Sequence, residues 1–209
     1  NSPPELLARL IRNLEVGDNP AMQALLLTLL LAETDPPKNV EPGISILLAR
    51  VDKLIEIGAI EPALALVERA GSQDPALFVR TFDLALLADK TDPACRDVLT
   101  KPTLEPQYTV RIFCHVRNGD WALASFILEN AIALGEIEPR TALLLDLFLN
   151  PDLAESTVPP APSTAPSPLE FRLFEAIGSP LQTASLPVSF AIADLSGNSG
   201  WKAQLEAAE

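Results

Sequence analysis

The sequence predicts an all-α protein built from antiparallel helical hairpins stacked as an irregular solenoid, and three observations carry that expectation. Apolar residues make up 48% of the 209-residue chain but aromatics only 5%, which leaves the core to Leu, Ala, Ile and Val. That mixture loses little on entering helices. Apolar positions also recur at the 3.6-residue period in segment after segment, and no run alternates convincingly at the period of a strand. Finally, many of the 20 prolines follow Asp, Asn or Glu, as at Asn19-Pro20, Asp74-Pro75 and Glu138-Pro139. A capping or acidic side chain then meets unpaired amides and Pro supplies a preset φ, so these prolines read as helix starts.

Taken in order, "PPELLARLIRNLEVG" opens on prolines suited to a first turn and closes at Gly17, a C′ position. "NPAMQALLLTLLLAE" follows and contains the most apolar run, Ala24 to Ala32. That run is too short for the roughly 20 residues of a membrane-crossing helix and reads as a buried one. "PGISILLARVDKLIEIG" places Ile44, Leu47, Leu48, Val51, Leu54 and Ile55 on one face and stops at Gly58. "EPALALVERAG" runs from Pro62 to Gly71, and "DPALFVRTFDLALLAD" begins with Asp74 as its N-cap. A short "DPACRDVL" leads into three further helices, "EPQYTVRIFCHVRNG", "DWALASFILENAIALG" and "EPRTALLLDLFLN". From residue 150 the texture changes: "NPDLAESTVPPAPSTAPSPLE" has little to bury and reads as an extended linker or surface loop. Helical signal returns in "LEFRLFEAIG", "LPVSFAIADL" and "SGWKAQLEAAE". The expected organisation is a main helical array over 1–149, a Pro-rich linker or loop over 150–168 and a smaller helical piece over 169–209.

Two hairpins share a spacing. From Gly58 the marks are Ile60, Ala63, Val67, Ala70 and Pro75; from Gly119 they are Trp121, Ala124, Leu128 and Ala131. Gly ends one helix, a large residue two later packs back into the hairpin, and the small residues let the second helix approach closely. This spacing resembles that of the tetratricopeptide repeat, with Ile60, Val67 and Leu128 where the family carries aromatics. The resemblance covers two hairpins and implies stacked helix pairs with a recognition surface. The two glycines are 61 residues apart, far from the roughly 34-residue period of a regular array, so an irregular, divergent solenoid is expected. A compact, non-repeating bundle is the competing architecture.

The net charge of −13 argues against nucleic acid or an anionic membrane surface as partner. Cys95 and Cys114 match no zinc or redox spacing, and a disulfide between them stays open beside two buried thiols. The one histidine, His115, neighbours Cys114 on a helix, where adjacent side chains diverge by about 100°, so a Cys-His dyad is not expected. No phosphate loop, metal-ligand spacing or pair of facing acids stands out, and no catalytic, cofactor or metal residue is assigned. The individual residues are Trp121 and Trp201. Each reads either as an aromatic anchor for a partner or as a wedge between hairpins.

The expected function is therefore a non-catalytic scaffold or adaptor that holds a protein or peptide, without a cofactor. Two alternatives are kept: the helical superhelix of a larger envelope enzyme, as in murein-cleaving transglycosylases, and a carrier of lipid or another small molecule in a Leu-rich interior. The chain opens without Met and stops inside a helical pattern, so a longer natural chain with a removed leader is expected. With the cysteines and the Pro/Ser/Thr-rich segment, this leans towards an exported, periplasmic protein, with a cytoplasmic one as the alternative.

Overall fold

A computed structural model describes residues 3–17, 19–33, 44–71, 74–101, 103 and 107–196, and no strand occurs among them. These residues form α1 (Pro4–Arg12), α2 (Pro20–Leu31), α3 (Ile44–Glu56), α4 (Ile60–Ala70), α5 (Pro75–Leu87) and α6 (Thr91–Thr100). They continue with α7 (Tyr108–Arg117), α8 (Trp121–Ala133), α9 (Pro139–Leu149), α10 (Pro151–Ser156), α11 (Pro168–Ala176) and α12 (Val188–Ser196). Helices pack mainly on their sequence neighbours from α3 to α9. Three reach back: α1 lies on α3, α11 on α5 and α9, and α12 on α3 and α5. The protein is all-α, as the periodicity implied.

The helix starts follow their caps. Asn19 Oδ1 accepts from the amides of Ala21 and Met22, and Asp74 Oδ1 from those of Ala76 and Leu77, each with Pro at the first helical position. Glu138 precedes Pro139 without a side-chain cap bond. Glu61-Pro62 and Asp92-Pro93 differ, because α4 and α6 begin before them and place each Pro in the third position. First-turn amides have no intrahelical partner, so Pro is tolerated there too. The acids then serve as ion partners, Glu61 for Lys90 at 2.8 Å and Asp92 for Arg117 at 2.9 Å. At the first helix the expected stop at Gly17 is also displaced: α1 ends at Arg12, and Leu14 and Val16 leave the helix to pack on the core.

Two apolar clusters form the core. Leu26, Leu30, Val51, Leu54, Val67 and Phe190 belong to one, while Val110, Ile112, Leu128, Leu145 and Phe174 belong to the other. Helix α5 feeds both, with Leu77, Leu84 and Leu87 in the first and Phe78, Phe82 and Leu86 in the second. The two matched hairpins bury Ala63, Val67, Ala124, Leu128 and Ala131, but Ala70 is exposed. Helix α2 corrects the expectation of a buried helix. Leu26 and Leu30 are buried on α3, whereas Met22, Leu25 and Leu29 face solvent at 46%, 61% and 56% exposure. A helix apolar on every side can bury only the side that has a neighbour.

Cys95 of α6 and Cys114 of α7 form a disulfide with their Cα atoms 5.0 Å apart, which resolves the choice left open by their spacing. The Pro-rich stretch is held to the helices: Arg140 Nε of α9 donates to Ala161 O at 2.7 Å, and Arg140 Nη2 pairs with Glu170 of α11. Glu170 also accepts from Ser163 N at 2.8 Å and Ser163 Oγ at 2.7 Å. Burial pushes the Glu170 carboxyl up, but the two Ser163 hydrogen bonds and the Arg140 guanidinium outweigh it and hold the carboxyl below the ordinary value of 4.5. A folded-state value below the unfolded one gives stability that is complete above about pH 4.5 and is lost as pH falls through the folded value. Glu170→Gln should therefore remove part of the acid-side slope of stability; urea midpoints for both proteins across pH 3 to 6 (a range on the order of the carboxylate window) test this, and parallel slopes would refute it.

Gly58 and Gly119 both take left-handed backbone, with φ of +77° and +85°, yet their surroundings differ. A Cβ on Gly58 would lie 2.2 Å from Ile192 Cδ1 of α12, whereas one on Gly119 would meet nothing within 4 Å. Gly119→Ala is expected to lose only backbone strain, about 1 kcal/mol. Gly58→Ala also has to turn the Ile192 δ-methyl aside and should lose about 2 kcal/mol. Equal losses in chemical denaturation would show that the Ile192 side chain gives way without cost.

Candidate protein-binding surface

The site is built from the turn between α7 and α8. Gly119 N donates to Val116 O and Asp120 N to His115 O, both at 2.9 Å, a Schellman ending that reverses the chain in three residues. Trp121 is thereby the first residue of α8 and sits at the surface, 47% exposed. Its ring lies 6.5 Å from that of Phe148 on α9. Phe148 stacks on Phe113 at 6.0 Å, and Phe113 meets Phe82 edge-on at 6.3 Å. A line of aromatic rings thus connects the exposed indole to the centre of α5, and the contacts fix its inner edge while the outer part stays in water.

Beside Trp121 is a groove of about 380 Å³ floored by Phe113 and Phe148 and walled by Arg117, Arg172, Asp89 and Glu175. A second, about 690 Å³, runs between α4, α5 and α6 and shares Asp89, Thr91 and Arg117 with the first. Both arginines are engaged: Arg117 Nη2 donates to Asp92, and Arg172 Nη1 donates to Glu175 at 2.6 Å. Asp89 has no cation within 4.0 Å among the described residues and lies where the two grooves meet. The surface therefore combines an open aromatic face with an uncompensated carboxylate.

Asp89 is unusual in backbone too, with φ of +54°, the one left-handed residue other than Gly among the described residues. Lys90 N donates to Ala85 O at 2.8 Å, so Asp89 occupies the C′ place that Gly fills after α3, α7, α8 and α11. Holding a side chain there costs about 1 kcal/mol, and the side chain it retains is the carboxylate of the groove.

Trp121 is thus placed by the structure at a groove rim, and Trp201 lies outside the described residues. His115 is mostly buried, its Nδ1 without a hydrogen bond and 3.6 Å from Asp120 Oδ2. Cys114 is consumed by its disulfide, so no thiol stands beside that ring. Among the described residues no group of three or more His, Cys, Asp or Glu side chains is arranged to hold a metal ion. No described helix is long and apolar enough to cross a membrane. The sequence reading missed Phe148, Arg172 and Asp89. Only Asp89 carried a signal, since "LALLADK" ends a helical run with no Gly at the stop.

Asp89→Gly is expected to raise the unfolding free energy by about 1 kcal/mol, because it relieves the left-handed strain without touching a packed side chain. Thermal and urea unfolding of the two proteins check this, and an unchanged or lowered midpoint would mean that the carboxylate has a stabilising partner. Compared with models of protein families, with curated proteins and with solved structures, the chain matches none.

Proposed function

We propose that this protein is a non-catalytic recognition scaffold whose stacked helical hairpins hold a protein or peptide partner. The observation that carries the reading is Trp121, a large aromatic residue left half exposed at a groove while its ring rests by Phe148, which itself stacks on Phe113. Rigidly held, partly exposed aromatics are common energetic anchors of protein interfaces. Asp89 and the net charge of −13 favour a partner that brings a cation beside an apolar side chain. The hairpin spacing shared with tetratricopeptide repeats supports the same reading, since stacked pairs of helices offer extended surfaces for binding. The disulfide supports an oxidising location such as a bacterial envelope, where such bonds persist.

The test is a comparison of the full chain with Trp121→Ala, whose fold is first checked by circular dichroism. Proteins retained by the parent and lost by the variant are purified and titrated against both. A true partner should bind the variant about 30-fold more weakly, the loss expected of an interface tryptophan. If no retained protein depends on Trp121, the reading fails.

A further inference from the structure

A second surface lies at the other end of the array, where the turn after α1, helix α2 and the turn from α3 to α4 enclose a groove of about 800 Å³. Its walls are apolar, formed by Leu14, Val16, Leu27, Ile57 and Ala59, all of them partly buried at the margin of the first core cluster. Among the described residues, the polar side chains that line it are Gln23, Glu15 and Glu56. Gln23 Nε2 already donates to Gly17 O at 3.0 Å. No Lys or Arg among the described residues lines the groove. The cations nearest in sequence already face acids: Arg12 Nε lies 4.0 Å from Asp52 Oδ2, and Lys53, buried at 2% exposure, has its Nζ on Glu56 Oε1 at 2.7 Å. Glu15 is exposed and has no ion pair among the described residues. The groove is thus an apolar trough with acid at its rim and one carboxylate uncompensated.

Those walls also decide the conformation of what can lie there. Side chains of helices and tight turns present no row of free backbone groups of the kind a sheet edge offers. An extended segment laid in the trough would leave its own amides and carbonyls against apolar carbon, and each unmade bond weakens binding. A helix arrives with its backbone bonds already made. The volume accommodates the side chains of roughly two helical turns. We propose that this groove binds an amphipathic helix of a partner protein, its apolar i, i+3, i+4, i+7 stripe in the trough and Lys or Arg residues flanking that stripe towards Glu15 and Glu56. The proposal rests on the recognition-scaffold reading but names a different surface, so the two fail independently: one is read at Trp121 and the other at Ala24.

The experiment titrates the full chain into a fluorescently labelled synthetic helix of Leu and Lys, about four turns long, and reads anisotropy. Two control peptides are used, one with Glu in place of every Lys and one with the same composition in scrambled order. The basic amphipathic peptide should bind at least tenfold more tightly than either control and should gain helical circular dichroism when bound. Ala24→Trp, which fills the trough from an exposed position on α2, should weaken that binding at least tenfold. Glu15→Lys should weaken it and flatten its salt dependence, while Trp121→Ala should leave it unchanged. Equal binding of the scrambled peptide would reduce the effect to net charge and overturn the proposal. So would binding that ignores Ala24→Trp, or sedimentation showing a dimer that Ala24→Trp dissociates, which would make the groove a contact between two copies of the chain.

Discussion

The architecture depends on how the C-terminus of α5 is satisfied. This helix is shared by both apolar clusters, so its last carbonyls end among buried side chains where water cannot serve them. Arg172, from a helix more than eighty residues further along the chain, supplies the donors: Nε reaches Leu86 O at 2.8 Å and Nη2 reaches Leu87 O at 3.2 Å. Its guanidinium also pairs with Glu175, which keeps the buried cation compensated. A positive charge at a helix C-terminus is favourable in itself, and here it fastens α11 onto the middle of the array. Arg50 does the same for α2, donating from α3 to Leu30 O and Ala32 O. Long-range arginine capping therefore joins elements that short loops alone would leave as a row of hairpins.

Fastening α11 in this way brings the Pro-rich stretch back against α9. Pro166 is buried and Leu169, Leu173 and Phe174 enter the second cluster, while Phe171 enters the first, edge-on to Phe190 at 5.3 Å. Prolines lose little backbone entropy on being ordered, so a few anchors suffice to hold such a segment. Ser163 and Arg140 provide them by converging on one carboxylate, Glu170. The Cys95–Cys114 bond secures the neighbouring pair α6 and α7 by a covalent link instead.

Local rules were the legible part of this sequence. The caps at Asn19 and Asp74 and the stops at Gly58, Gly71, Gly119 and Gly135 arise from hydrogen bonds within five residues, and the chain states those directly. What escaped was set by distant partners. Glu61 and Asp92 resemble caps but face distant partners, Lys90 in the turn before α6 and Arg117 on α7. Nothing near Arg172 announces that it will meet α5, and nothing in "ALLLTLLLA" tells which of its sides has a neighbour. At the site the same division holds. Trp121 was found by its rarity and its place after a turn, whereas Phe148 and Asp89 join it only through packing.

A surface made wholly of helices constrains recognition in a way that the two grooves share. With no sheet edge among the described residues to pair with, selectivity rests on side-chain shape and on charge, and this chain has surplus acid to offer. Both grooves set an uncompensated carboxylate near apolar side chains, Asp89 with Phe113 and Phe148 in one and Glu15 with Leu14, Val16 and Ile57 in the other. In each the acid sits at a turn that leaves a helix, where the chain must depart from regular bonding and side chains project outward. Helices α2 and α8 also leave apolar faces exposed, with Leu25 and Leu29 on one and Leu123 and Phe126 on the other. Burying such faces on a partner would supply affinity through the hydrophobic effect, and the rim carboxylates would set which partners are accepted.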